Sequence, residues 1–266
     1  MLGAIAGDII GSVYEGKRRW LVERSADFRP LFAARACCTD DTVLTVAVAD
    51  WVLHGGDLAV LLKDYYRRYP GAGFGGDFRR WAASEESGPY GSWGNGSAMR
   101  VGPVAWACDT AAEVLHRAEE SARVTHDHPE GIKGAQATAL ATFLARSGAA
   151  KWEIRDEVER RFGYDLSARL DDIRPSFAFD SSCRGTVPPA IVAFLESADY
   201  EHAVRLAVSL GGDCDTLACI AGGIAAAAYG GVPGPIRAEA LARLDGPLRS
   251  VVDEFEGRFP AAAGRP

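Results

Sequence analysis

Apolar residues along this 266-residue chain recur at helical spacing, and no run alternates long enough to make a convincing strand. That pattern narrows the available folds more than any other feature. Val43, Leu44, Val46, Ala47, Trp51 and Leu53 fall every third or fourth position, and Gly55-Gly56 follow as a stop. Asp57 caps a second helix carrying Leu58, Leu61, Leu62 and Tyr65, which ends before Pro70. The same spacing predicts helices at about 97–107, 110–124, 131–146, 151–162, 188–197, 199–209, 214–229 and 235–256, the last interrupted near Pro247. Over 151–162, Trp152, Ile154, Val158 and Phe162 mark an apolar face against Glu153, Arg155, Glu157 and Glu159. Alanine, the best helix former, supplies 45 residues. There is no solenoid-length repeat and no Pro/Ser-rich linker, so the expectation is one compact all-α domain spanning 1–266.

Charge bounds the partners. With 29 Lys+Arg against 36 Asp+Glu the net charge is −7, and no basic run exceeds Lys17-Arg18-Arg19. Unspecific nucleic-acid binding needs a basic surface and is not expected. A substrate carrying phosphates remains open, because a local site or bound cation overrides net charge. The six cysteines form no C-x-x-C pair, which excludes a zinc ribbon and fits buried thiols in a reducing, cytoplasmic setting. MLGAIAGDIIG has no basic leader and carries Asp8 within its apolar stretch, so it does not read as a signal peptide. The longest weakly polar run, Leu217 to Tyr229, has 13 residues, short of the ~20 of a membrane span.

Two turns concentrate carboxylates. Thr39-Asp40-Asp41-Thr42 precedes the helix of Val43 to Leu53, and Gly211-Gly212-Asp213-Cys214-Asp215-Thr216 precedes the Ala-rich helix. Either alone is explained by capping, since Thr and Asp are preferred N-caps and acids favour the first turn. Together they form an all-oxygen set suited to Mg²⁺ or Mn²⁺ and poorly suited to zinc. If the turns meet, the ligand count matches two ions about 3.5–4 Å apart. Glu15 lies early in the long connection 13–38, where a lone Glu is ordinarily solvated and Gly16 allows a swinging acid. A second long connection covers 163–187.

Gly-rich breaks at Gly71–Gly76 and Gly91–Gly96 are either turns around buried aromatics or sites where N–H groups meet phosphate. Phe74 and Trp93 are the rings that such loops would offer to a base. Neither loop matches a P-loop or dinucleotide fingerprint. In Thr125-His126-Asp127-His128-Pro129, capping outweighs metal binding, because two histidines need a third soft ligand. Cys183 has no evident His–acid partnership and no G-x-S-x-G is present.

Together these segments resemble the ADP-ribosylglycohydrolase family. The matching stretches are GAIAGDIIGSVYEG (3–16), TDDT (39–42), GSWGNGSAMR (91–100), THDHPEGIKGAQA (125–137) and SLGGDCDTLA (209–218), in the family's order and nearly end to end. The resemblance implies an all-α orthogonal multi-helix domain with a dinuclear centre, holding two Mg²⁺ or Mn²⁺. Thr39, Asp40 and Asp41 would be ligands from one side, and Asp213, Asp215 and Thr216 from the other. Glu15, with Asp40 and Asp41, would serve catalysis, Glu15 as the flexible acid. Gly73, Phe74, Gly75, Gly91, Ser92, Trp93, Gly94, Asn95 and His126 would line the ADP-ribose cleft. The implied activity is cleavage between the distal ribose of ADP-ribose and a protein or small-molecule acceptor, through an oxocarbenium-like transition state. Alternatives are a non-catalytic relative, such as a lens crystallin or an ADP-ribose-binding protein, and another metal-dependent hydrolase of a nucleotide derivative.

Overall fold

The structure, a computed structural model, describes residues 1–16, 25–85 and 88–261. The basic run Lys17-Arg18-Arg19 lies outside the described residues. In chain order the helices are α1 (Leu2–Gly11), α2 (Asp40–His54), α3 (Leu58–Arg68), α4 (Gly76–Ala83), α5 (Gly96–Met99), α6 (Gly102–Ala107), α7 (Ala111–Arg123) and α8 (Pro129–Arg146). Then follow α9 (Lys151–Phe162), α10 (Leu170–Ile173), α11 (Cys183–Glu196), α12 (Tyr200–Ser209), α13 (Cys214–Ala228), α14 (Gly234–Leu241) and α15 (Gly246–Arg258). Among the described residues the sole β pairing is one antiparallel bridge, Gly94 with Ser182. The all-α expectation therefore holds, and among those residues no helix is long and apolar enough to cross a membrane.

Side-chain caps set several of the helix starts. Thr39, Asp57, Thr110, Ser182, Asp199 and Asp245 each accept from a backbone N–H in the first turn of the helix they precede. Several boundaries differ from the periodic reading. The expected helix at 97–107 is two short ones, α5 and α6, parted at Arg100-Val101. Expected helix 188–197 begins five residues earlier, because Ser182 caps at Cys183 and the helix runs on through Pro188 and Pro189. Expected helix 235–256 is interrupted at 242–245, just ahead of Pro247. Asp245 caps α15 and Pro247 sits in its first turn, where its missing N–H costs nothing.

Helix α1 had no periodic signal because every one of its residues is buried and no polar stripe exists. It packs most extensively against α13, and the contact is made possible by glycine. A Cβ on Gly3 would stand 2.4 Å from the Gly222 carbonyl oxygen, and one on Gly7 2.0 Å from that of Ala218. On Gly11 it would meet Asp215 Cα at 2.5 Å. Tyr200 closes the seam, its hydroxyl donating to the Gly3 carbonyl at 2.8 Å. Leu2, Ile5, Ile9, Ile10, Leu44, Leu140, Phe194 and Phe255 fill the fully buried core around this pair.

Candidate functional site

The close α1–α13 seam brings the C-terminal end of α1 beside the first residues of α13. One turn earlier, Asp8 reaches from α1 to the start of α2. Its Oδ2 accepts the backbone N–H of Thr39 at 3.0 Å and of Thr42 at 3.1 Å. It also accepts the Thr42 hydroxyl, and Oδ1 accepts that of Thr39 at 2.7 Å. Thr39 Oγ1 in turn accepts from the Asp41 N–H at 3.2 Å. Asp8 thus holds the first acidic turn from outside, satisfying helix N–H groups that water or a local side chain would otherwise take. The sequence reading passed over this residue. Its one signal was a carboxylate in an otherwise apolar stretch.

The two acidic turns meet. Thr216 Oγ1 donates to the Asp41 carboxylate, at 3.0 Å from Oδ1 and 3.1 Å from Oδ2. Asp213 occupies the N-cap position of α13, yet its side chain makes no capping bond. It accepts instead from Asn95 Nδ2 at 2.8 Å, and Asn95 also donates to Thr186 Oγ1 at 2.9 Å. Capping accounts for Thr39 but not for Asp213. Carboxylate oxygens of Glu15, Asp213 and Asp215 all lie within 4.8 Å of one another. The Gly16 N–H donates to the Gly212 carbonyl at 2.9 Å, which ties the backbone beside Glu15 to the second turn.

Burial and mutual repulsion push these acids up. Asp8 rises to about 6 through burial, against the threonine hydrogen bonds that lower it. Asp40 is raised to about 8 by burial and then by the charges of Asp8, Asp213 and Glu15. Asp41 and Asp215 lie well above the usual carboxylate range, by burial first and by neighbouring acids second. Such a set is stable as carboxylates only with positive charge among them. Among the described residues the single cation lining this space is Arg100, which is wholly buried and bonded to Ser121 and Thr125. All-oxygen donors, convergent and electrostatically unbalanced, are what a hard divalent cation requires.

These groups form the floor of a cleft of about 560 Å³. Glu15, Thr39, Asp40, Asp41, Asp213, Asp215 and Thr216 line it, as do Gly73, Gly75, Gly91, Ser92, Trp93, Gly94, Asn95 and His126. Phe74 is the exception among the expected residues. Its ring is 3% exposed and stacks on Phe78 at 5.2 Å and 12°, with Tyr66 edge-on, so it belongs to the core and offers no face to a base. Trp93 is 59% exposed and keeps that possibility.

The two glycine loops are not equivalent. Ser92, Gly94 and Asn95 spend their N–H groups on Thr125 O, Ser92 Oγ and Ser181 O. The expected row of open N–H groups is thus largely closed in that loop. At the other, α4 starts at Gly76 with no side-chain cap, and Gly75, Gly76 and Asp77 face the cleft. The two histidines of 125–129 diverge. His128 caps α8, its Nδ1 accepting the Glu130 N–H at 3.1 Å, and lies against Trp93 at 5.7 Å. His126 is buried in the cleft wall. Of the six cysteines, Cys108, Cys183, Cys214 and Cys219 are buried thiols as expected, while Cys37 is exposed. Tyr90, Arg100, Phe179 and Asp77 also line the cleft and were not singled out from sequence.

A family model described as ADP-ribosylglycohydrolase matches residues 1–264. The chain is 28% identical to "ADP-ribosylhydrolase ARH3" of Bos taurus, covering 86% of this chain and 84% of that protein. It is 27% identical to "ADP-ribosylarginine hydrolase Tri1" of Pseudomonas putida, covering 86% and 69%. A solved structure titled "ADP-ribosylglycohydrolase-related protein complex" superposes with TM-score 0.69 at 26% identity, over 96% of this chain and 95% of that one.

Proposed function

This chain belongs to the ADP-ribosylglycohydrolase family and is a glycohydrolase enzyme, and from that premise we propose that it removes ADP-ribose from an acceptor in a reaction dependent on divalent metal. The observation that carries the reading is the contact of Thr216 with Asp41. It joins two acidic turns 175 residues apart into one floor beneath a cleft of about 560 Å³.

Thr39, Asp40 and Asp41 from α2, with Asp213, Asp215 and Thr216 from α13, would hold two Mg²⁺, with Mn²⁺ as the alternative. When bound, these ions would balance the carboxylate charge and grip the 2″ and 3″ hydroxyls of the distal ribose. The remaining steps fall to the chain. Glu15, exposed at the cleft edge beside Asp213 and Asp215, passes a proton to the leaving acceptor atom as the bond to C1″ breaks. Water adds its oxygen to C1″ and gives up one proton to the Glu15 carboxylate, which restores the acid, while the surrounding carboxylates stabilise the positive charge developing on the ring. Asn95 fixes the direction of Asp213, and Asp8 that of the first turn.

The backbone N–H groups at the start of α4 suit the diphosphate, whose negative charge a helix N-terminus favours. Trp93 is available to stack on adenine. The acceptor, a protein or a small molecule, would leave through the open end. One domain, 1–266, carries the whole site, and free buried cysteines favour a cytoplasmic setting.

The test is a turnover panel of ADP-ribosylated protein and small-molecule substrates, with Mg²⁺ and with chelator, read by product analysis. Free ADP-ribose that disappears in chelator supports the reading. AMP as product points to phosphate chemistry, and full activity of Asp215→Ala in chelator would overturn metal dependence.

A further inference from the structure

Arg100 follows α5 and is, among the described residues, the largest side chain with no exposed surface. Its Nη2 donates to the Ser121 carbonyl at 2.9 Å and to Thr125 Oγ1 at 2.8 Å. Thr125 Oγ1 lies 2.7 Å from His126 Nδ1. Nε and Nη1 of Arg100 are buried with no hydrogen-bond partner among the described residues, so the hydrogen bonds of this arginine go to Ser121 and Thr125, and Thr125 is the one side chain it holds.

The chemistry of the three groups fixes the direction of the protons. A guanidinium donates and never accepts. Thr125 must therefore receive a hydrogen from Arg100, and its own single proton has His126 Nδ1 as the acceptor in reach. The reverse, with Nδ1–H donating to Thr125, would strand a fully buried hydroxyl proton.

From this geometry we infer that Arg100 and Thr125 are positioning residues that hold His126 as the Nε2–H tautomer, leaving Nε2 to donate to an oxygen of ADP-ribose in the cleft. The inference of donation rests on the function proposed above; that of the tautomer does not. The edge of the ring is kept clear at Gly96, where a Cβ would stand 3.2 Å from Nε2. Burial first, and the Arg100 charge second, hold the imidazole pKa well below its ordinary value, so the ring is neutral. The Tyr90 ring, 6.0 Å away, carries a phenol pushed up to about 12 and adds no charge. His126 is then a fixed hydrogen-bond donor rather than a base or a cation.

Nitrogen-15 NMR of the imidazoles in the intact, substrate-free protein reads the tautomer directly, the His126 signals being assigned by their loss in His126→Asn. The expected spectrum shows a protonated Nε2 and a bare Nδ1. In Thr125→Val the Nδ1–H form should appear, and calorimetry should show ADP-ribose binding roughly tenfold weaker, the scale of one hydrogen bond to a charged acceptor. Thr125→Ser, which restores the hydroxyl, should recover both. A wild-type ring protonated on Nδ1 overturns the inference, and that measurement needs no variant to fold. So does a folded Thr125→Val protein with unchanged tautomer and affinity. Failure of ADP-ribose to bind the wild-type protein would instead refute the functional reading, because the tautomer is measured without substrate.

Discussion

Replacing Gly11 with alanine puts one methyl group into the seam that aligns α1 with the start of α13. The new Cβ would stand 2.5 Å from both Asp215 Cα and the Cys214 carbonyl oxygen, and 2.7 Å from the Asp215 nitrogen. All three are backbone atoms, so no side chain can swing away. Restoring ordinary contact requires the helices to part by about 1 Å, and over-packing of this kind costs about 1–3 kcal/mol. For a chain of this size each kcal/mol moves the melting midpoint by roughly 2–4 °C, so a fall of about 2–12 °C is expected. The displaced backbone is that of Asp215 itself. A 1 Å misplacement in an active site costs about 10²-fold in rate, far more than the small unfolded fraction explains. Gly223→Ala is the control, on the other helix of the seam, α13. Its Cβ meets Ala4 Cβ at 3.5 Å, an ordinary contact, and alanine gains about 1 kcal/mol of helix propensity. Melts by circular dichroism and Mg²⁺-dependent release of ADP-ribose, measured side by side, decide the matter. A Gly11→Ala enzyme that melts and turns over like wild type would refute the claim that the seam sets the site.

Four further outcomes are expected. Asp8→Ala should strand the donors of Thr39 and Thr42, lowering the melting midpoint and weakening Mg²⁺ binding by calorimetry while helical ellipticity persists; unchanged Mg²⁺ affinity would remove Asp8 from the site. Metal-free protein should melt higher at pH 5.5 than at pH 8. The folded-state acids are raised, to about 6 for Asp8 and about 8 for Asp40, so the folded state binds more protons and stability is lost as pH climbs through that window. Mg²⁺ added at pH 8 should restore it, and a metal-free midpoint rising with pH would contradict the sign. Glu15→Gln should lower kcat by about 10²–10⁴ with ADP-ribose affinity nearly unchanged, and equal kcat would return Glu15 to an ordinary loop residue. Trp93→Ala should weaken ADP-ribose binding by about 1–3 kcal/mol if the indole stacks on adenine, with ribose 5-phosphate affinity unaffected; equal wild-type affinity for the two ligands would mean no adenine end exists.

What could be read from sequence followed the range of the interactions involved. Amphipathic helices such as α3 and α9 show in the pattern because one face meets water, whereas α1 is buried all round and has no face to show. The acidic turns were visible because Thr39 and Asp213 sit at helix starts, where residue type carries local meaning. Asp8 was hidden because its partners lie 31 and 34 residues downstream, and no local rule connects a helix-interior acid to a distant N-cap. Phe74 was misjudged for a related reason: glycine neighbours suggested an open loop, but Tyr66 and Phe78, from α3 and α4, close over the ring. Arg100 gave no sign, since an arginine beside a short helix ordinarily faces solvent.

The α1–α13 seam also has a consequence for how the chain acquires its site. A Cβ on Gly3 would meet the Gly222 carbonyl across nearly the whole sequence, and the acidic cluster is assembled from the first two helices and the thirteenth. Contacts of such separation pay a large loop-closure entropy before they return anything, and they form late. On a ribosome the N-terminal helix emerges long before its partner is synthesised. Until then its glycine-lined apolar surface has no permanent neighbour, and Asp40 and Asp41 have no counterpart. The proposed cation site would therefore be complete only once α13 has docked on α1 and α2, and retention of Mg²⁺ there would report that these distant elements have found each other.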